Sequence, residues 1–259
     1  MSRRARKVVV HDQADDDFGV VSKHVRTRPI DETYPYTHKN LLWRLVSAFL
    51  YYVVAPIPVW VMSKIYGMRI HGRRSIRGLG GCYIYGNHTH WTDVLIPYLI
   101  SFPTRAYIVT GPTAVSVPLV RHLVSMLGGL PLNPTARGKV VFREALDRAV
   151  KGGSPVAIFP EAHEWPYYNG IREFPPYSFT YPVRTSEPVV AYVVTYRRRR
   201  VAWYPPRMTV TVGSPILPET WKGSSDPKGF LRDRVLGFMR DTARDLDSYA
   251  WIEYDIDTA

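Results

Sequence analysis

The residue types and spacing best suited to chemistry are those of His88 and Asp93, which lie five positions apart in the stretch 86–93. A buried strand is predicted to end at Tyr85, and an apolar helix follows directly. A separation of five falls outside the i+3 and i+4 pairs of a helix, so His88 must precede the helix if Asp93 is to reach it. A neutral imidazole there can take a proton from a hydroxyl, while the carboxylate fixes its tautomer and stabilises the imidazolium that forms.

Other interpretations of this pair remain open. The two residues could be a structural cap and its partner, and His90, three positions before Asp93, forms a competing pair. The sequence contains no Gly-x-Ser-x-Gly stretch, so a covalent nucleophile of the hydrolase type lacks its usual signature. A His/Asp pair without a side-chain nucleophile would therefore activate the hydroxyl of a substrate.

The elements that must position these residues alternate between strands and helices from residue 69 onward. Strands are predicted at 82–85, 106–110, 155–159, 189–196 and 207–212, and helices at 91–100, 140–150 and 230–246. This alternation predicts an α/β fold, a mixed sheet flanked by helices.

A segment without charged residues, 45–63, precedes this domain and is nearly long enough to span a bilayer. Pro56 and Pro58 lie inside it, and internal prolines kink or break a helix. We therefore predict a membrane-dipping two-helix element that turns back, with both ends on one side of the membrane. The alternative is a buried hairpin in the core.

Composition sets the remaining limits. The chain has 259 residues, 46% hydrophobic and 22% charged, which excludes a wholly disordered or coiled-coil protein. Cys82 is the only cysteine, so an internal disulfide and a multi-cysteine metal site are excluded. The net charge of +12 favours a polyanionic partner, either nucleic acid or an anionic membrane. Three parts are predicted: a polar arm at 1–40, a membrane-associated helical element at 41–68, and the α/β domain at 69–259.

Four ordered blocks resemble those of the glycerolipid acyltransferases, the family of bacterial 1-acyl-sn-glycerol-3-phosphate acyltransferases. The stretch 88–93 is similar to the family's His-x4-Asp signature, 128–132 to its second block, 156–161 to its Phe-Pro-Glu block, and 188–190 to the start of its fourth. Four blocks in the right order are much harder to meet by chance than one.

The resemblance implies a membrane-associated enzyme that transfers a fatty acyl group from acyl-CoA or acyl-carrier protein to a lysolipid hydroxyl. The first expectation for the acceptor is 1-acyl-sn-glycerol-3-phosphate, giving phosphatidic acid. His88 would be the general base and Asp93 its orienting partner, with Glu161 and Gly129 in the substrate-binding blocks. The resemblance also implies no metal, no cofactor beyond the acyl donor, contact with membrane lipids, and a monotopic or peripheral location at the cytoplasmic face of the cell membrane.

Two departures concern the acceptor. Family members commonly have an arginine after the second block and Gly-Thr-Arg after Phe-Pro-Glu, whereas this chain has Pro134 and the stretch 162–164, Ala-His-Glu. Arg137 and Arg172 are near enough in sequence to bind a phosphate instead. The alternatives are an acyltransferase for a different lysophospholipid or an acceptor without a phosphate monoester, and a catalytically weak lipid-binding protein. Nucleic-acid binding has only the net charge in its favour, and no known motif supports it.

Overall fold

The computed structural model describes residues 6–10, 17–18, 30–116, 118–201 and 204–256. Its strands are β1 Arg6–Val10, β2 Arg69–His71, β3 Tyr83–Gly86, β4 Tyr107–Thr110, β5 Gly129–Pro131, β6 Val156–Ile158, β7 Val189–Arg197, β8 Arg207–Val212 and β9 Ile252–Ile256. Its α-helices are α1 Leu41–Phe49, α2 Pro56–Ile65, α3 Ile96–Ser101, α4 Pro118–Met126, α5 Ala136–Lys151, α6 Thr180–Thr185 and α7 Pro227–Asp245.

Seven of the strands form one mixed sheet in the order β2-β8-β7-β3-β6-β4-β5. All neighbours are parallel except β7 and β8, which form an antiparallel pair. The predicted α/β class is therefore confirmed. Because β3 and β6 are parallel neighbours, the residues that follow their carboxyl ends meet at one edge of the sheet.

The central strand β3 is buried on both faces, as expected for a strand that helices cover on each side. Tyr83 and Tyr85 pack in a cluster that includes apolar residues of α5 and α7. Ile84 points to the opposite face, into a cluster that includes Ile96 and Ile100 of α3. The apolar run that precedes His88 thus anchors the turn that carries this residue in the middle of the core.

The apolar segment near the N-terminus is one continuous helical stretch, so the predicted turn-back is wrong. α1 and α2 are joined by a π-helical turn at Leu50–Val54, and the backbone stays right-handed helical from Phe49 through Ala55. The amide of Ala55 bonds to the carbonyl of Leu50, five residues back, which shifts the bonding pattern just before the first proline. The amide of Val59 then bonds to the carbonyl of Ala55, four residues back, so the helix continues past both Pro56 and Pro58.

Part of the predicted polar arm is ordered against the domain. β1 pairs in parallel with β9, and Lys7 forms an exposed ion pair with Asp255 at 2.6 Å. Neither strand is predicted from the sequence. The prediction for residues 1–5, 11–16 and 19–29 of the arm lies outside the described residues.

Candidate active site

The turn after β3 is held in place by the carboxylate of Asp93. Its Oδ2 accepts hydrogen bonds from the backbone amides of Thr89, at 2.6 Å, and His90, at 2.8 Å. Asp93 is fully buried in the 3-10 turn Trp91–Leu95 that leads into α3. Asp93 therefore caps this turn, and the same oxygen is available to the preceding histidine.

His88 lies before the helix, as the spacing predicts, and its ring contacts both Asp93 and the neighbouring strand end. Nδ1 lies 3.3 Å from Asp93 Oδ2, and the ring stacks on Phe159 at 4.5 Å between centroids. The side chain is 18% exposed. Because Nδ1 faces the carboxylate, the favoured tautomer leaves Nε2 unprotonated and available to a substrate hydroxyl.

The surroundings of His88 make it a stronger base than a free histidine. Burial lowers the pKa of the imidazole, but the hydrogen bond and charge of Asp93 outweigh burial, and Glu164 and Glu161 add to them. The pKa is therefore raised above its ordinary value. The carboxylates stabilise the imidazolium that forms when His88 takes a proton.

The competing histidine, His90, is a structural cap. Its Nδ1 accepts from the amide of Thr92 at 3.1 Å, and its Nε2 lies 3.1 Å from the hydroxyl of Tyr167. Burial lowers its pKa to about 4, so it stays neutral. Both ring nitrogens are thus already engaged with the protein.

Glu161 lies at the end of β6, beside His88, but its carboxylate forms a buried ion pair. Arg172 donates from Nε and Nη2 to Oε2, each at 3.2 Å, and the two side chains are 3% and 0% exposed. The same guanidinium donates to the backbone oxygen of His163 and lies over the ring of Trp165 at 4.6 Å. Burial raises the pKa of Glu161, whereas Arg172 acts in the opposite direction. The predicted roles of Glu161 and Arg172 in acceptor binding remain predictions.

Glu164 is a group near His88 that is not among the site residues predicted from the sequence. Burial raises its pKa to about 7, and the charges that act on it belong to His88, Asp93 and Asp17. The signal in the sequence was the departure at 162–164, where a carboxylate stands at the arginine position of the Gly-Thr-Arg pattern.

The remaining two predicted residues lie apart from the catalytic pair. Arg137 is exposed in the first turn of α5, and none of the described contacts joins it to His88. Gly129, in β5, lines an apolar cavity of about 210 Å³. Val94 and Leu95, which directly follow Asp93, line this cavity too, and so do Tyr51, Ala55 and Val59 of the N-terminal helix. The cavity therefore lies between the residues that directly follow Asp93 and that helix, and neither His88 nor Asp93 is among its lining residues.

His88 and Asp93 follow the carboxyl end of β3, and the two residues directly after Asp93 line the apolar cavity. Such an arrangement can activate a hydroxyl near an aliphatic chain. Residues 67–194, the part of the chain that carries this site, match the family model described as Acyltransferase. His88, Asp93, Glu161 and Arg172 all lie inside the matched range. The resemblance stated from the sequence is thus confirmed at the level of the acyltransferase family.

Among the solved structures with a similar fold, one aligns over most of both chains. It is the crystal structure of the 1-acyl-sn-glycerophosphate (LPA) acyltransferase, PlsC, from Thermotoga maritima, with a TM-score of 0.55 and 17% sequence identity. The similarity covers 80% of this chain and 95% of that chain. At this identity the comparison shows a shared fold. A comparison with curated proteins finds no match.

Proposed function

We propose that this protein is a membrane-associated O-acyltransferase that moves a fatty acyl group from a thioester to the hydroxyl of a lysolipid. The observation that carries the proposal is the His88–Asp93 pair beside the apolar cavity. The donor is acyl-CoA or acyl-carrier protein, and a cytoplasmic location follows from the supply of these thioesters.

The geometry supports a single-displacement mechanism. The acceptor hydroxyl binds at Nε2 of His88, which takes its proton as the oxygen attacks the thioester carbonyl. Asp93 stabilises the resulting imidazolium through Nδ1. The tetrahedral intermediate then expels the thiolate, which takes the proton from His88. The products are an ester and a free thiol, and the histidine returns to its neutral form.

The apolar cavity supports the choice of an aliphatic substrate. Apart from the hydroxyls of Tyr51, Tyr98 and Thr110, its walls are hydrocarbon and backbone. An acyl chain placed there would leave water and bury its methylenes, each worth about 0.8 kcal/mol. Since Val94 and Leu95 follow Asp93, the reacting carboxyl end of such a chain would lie next to the catalytic turn.

The N-terminal helix supports association with a membrane. Leu41–Ile65 is long and apolar enough to cross one, and 17% of its most apolar window is buried. Large apolar side chains that face outward occur along its whole length, including Leu42, Phe49, Ile57 and Trp60. Because this helix also walls the cavity, a lipid chain could pass from the bilayer into the site without crossing water.

The first acceptor to test is 1-acyl-sn-glycerol-3-phosphate, because the structurally similar enzyme from Thermotoga maritima is a 1-acyl-sn-glycerophosphate acyltransferase. The purified protein is placed in lipid vesicles with acyl-CoA, and release of the free thiol is followed with and without the lysolipid. Thiol release that requires the lysolipid and disappears in Asp93→Asn is the expected result. An acceptor-independent rate, equal in wild type and variant, would contradict transferase activity and leave the lipid-binding alternative.

A further inference from the structure

The acceptor side of the site has more carboxylates than basic groups to balance them. The loop after β6 is joined to the catalytic turn by two backbone hydrogen bonds, from Trp165 to the carbonyl of His88 at 3.1 Å and from Tyr167 to that of Thr89 at 2.7 Å. Glu164 directly precedes the first of these donors, so its backbone lies next to His88, and its side chain is near enough for the two charges to act on each other. Its side chain is partly buried.

The arginine of this loop is already paired. Arg172 donates two hydrogen bonds to Glu161 and a third to the carbonyl of His163, and its side chain is 3% exposed. The basic side chain in the described part of the loop thus neutralises Glu161 rather than Glu164. A substrate next to His88 is therefore near a carboxyl group, Glu164, that no described arginine or lysine of this loop neutralises.

The N-terminal segment brings a further carboxylate to the same edge. Asp17 Oδ2 lies 3.6 Å from His163 Nδ1, and the amide of Phe18 donates to the carbonyl of Glu164 at 3.1 Å. The charge of Asp17 acts on Glu164 in the same direction as that of Asp93. The described residues here form no group that could hold a metal ion.

A lysolipid acceptor must place its headgroup close to these side chains. In a 1-acyl lysolipid the reacting hydroxyl and the headgroup are on adjacent carbons, so a hydroxyl bound to His88 brings the headgroup within reach of the surrounding loop. A phosphate dianion there would lose water and face carboxylates without a paired donor, which is strongly unfavourable. An ammonium group would instead gain a charge-assisted hydrogen bond.

We propose that Glu164 selects an acceptor whose headgroup carries an ammonium group, so that the preferred substrate is an amine-bearing lysolipid rather than a phosphate monoester. This inference rests on the proposed function and names its acceptor class. Burial holds the pKa of Glu164 at about 7, and a bound ammonium would lower it and keep the carboxylate ionised. The carboxylate and the cation thus stabilise each other in the complex.

The test compares acceptors that differ only in their headgroup. Lysophosphatidylethanolamine carries the ammonium, lysophosphatidylglycerol has the same phosphodiester without it, 1-acyl-sn-glycerol-3-phosphate is the dianion, and monoacylglycerol is neutral. With one acyl-CoA donor, kcat/KM is measured for each in vesicles of uncharged lipid. We expect lysophosphatidylethanolamine to be preferred over each of the others by about tenfold or more, the factor that 1.4 kcal/mol gives.

Variants then assign the preference to one side chain. Glu164→Gln keeps the size and removes the charge, and we expect it to lower kcat/KM for lysophosphatidylethanolamine by about tenfold more than for lysophosphatidylglycerol. Glu164→Arg should raise kcat/KM for the dianion. Glu173→Gln is the matched control, because Glu173 is a glutamate of the same loop with a side chain 64% exposed, and it should leave the ranking unchanged.

A wild-type preference for the dianion or for the neutral acceptor would overturn this inference while leaving the acyltransferase function intact. An equal loss on all acceptors in a folded Glu164→Gln would also overturn it, since it would show a general structural role. If that variant does not fold, the wild-type ranking decides alone. No thiol release above that of His88→Ala with any acceptor would refute the proposed function itself.

Discussion

Replacing Arg172 by alanine separates a structural role from a role in phosphate binding. The change leaves Glu161 buried without its partner, which in proteins costs about 3–5 kcal/mol of unfolding free energy. The change also removes the guanidinium group that lies over the ring of Trp165. For a chain of this size each kcal/mol corresponds to about 2–4 °C in Tm, so we expect Tm to fall by about 6–20 °C.

The measurement is thermal unfolding in detergent micelles, together with KM for a phosphate and an uncharged acceptor. Adding Glu161→Gln to Arg172→Ala should restore part of the lost stability, because it removes the unpaired charge. Arg137→Ala is the control, since Arg137 is exposed and its loss should change stability by no more than about 0.5 kcal/mol. An unchanged Tm in Arg172→Ala, with KM raised for the phosphate acceptor alone, would refute the structural role and assign the guanidinium to the substrate.

Three further predictions concern the base and the cavity. His88→Ala and Asp93→Asn should lower kcat by about 10²–10⁴-fold with the fold retained, whereas His90→Ala should mainly lower Tm; an inactive, fully stable His90→Ala would contradict this assignment. Because the neutral imidazole is the reactive form and the pKa of His88 is raised, kcat/KM should rise with pH through a midpoint above 6.5. A pH profile that is flat between pH 6 and 8 would argue against a histidine base. Ala55→Leu should shift the substrate preference toward shorter acyl chains, because the larger side chain reduces the volume of the cavity. Val53→Leu, on an exposed part of the same helix, should leave the preference unchanged. The measurement is the rate of each variant as a function of acyl-chain length.

The centre of the sheet and the contact between His88 and Asp93 could be predicted because strong local signals determine them. β3 and β7 are largely apolar runs, β8 alternates apolar residues with threonines, and α5 and α7 have a clear helical period. The position of His88 follows from its spacing to Asp93 together with the end of β3. No distant contact needs to be known to place these elements.

The remaining features depend on contacts between distant parts of the chain. β1 and β9 lie at opposite ends of the sequence and pair with each other. Neither strand has a local sequence signal that predicts this pairing. The prediction that the chain turns back at Pro56 is wrong, because a π-helical turn before this residue accommodates the proline and the helix continues. The pairing of Glu161 with Arg172 depends on a loop with left-handed backbone at Ala162 and Tyr167, a conformation that residues other than glycine seldom adopt and that sequence patterns do not predict.

The net charge of +12 suggested a polyanionic partner, yet the charged groups around His88 are mostly carboxylates. The distribution of charged residues along the chain explains this difference. Residues 33–143, which include the exposed apolar helix and α4, contain twelve lysines and arginines but a single acidic residue, the buried Asp93. A positive segment next to an apolar helix favours an anionic bilayer, by about 1 kcal/mol for each basic residue near the surface. Under the proposed function, the positive segment would bind the membrane from which the acceptor arrives, and the proposed role of the Glu164 carboxylate is to select the headgroup.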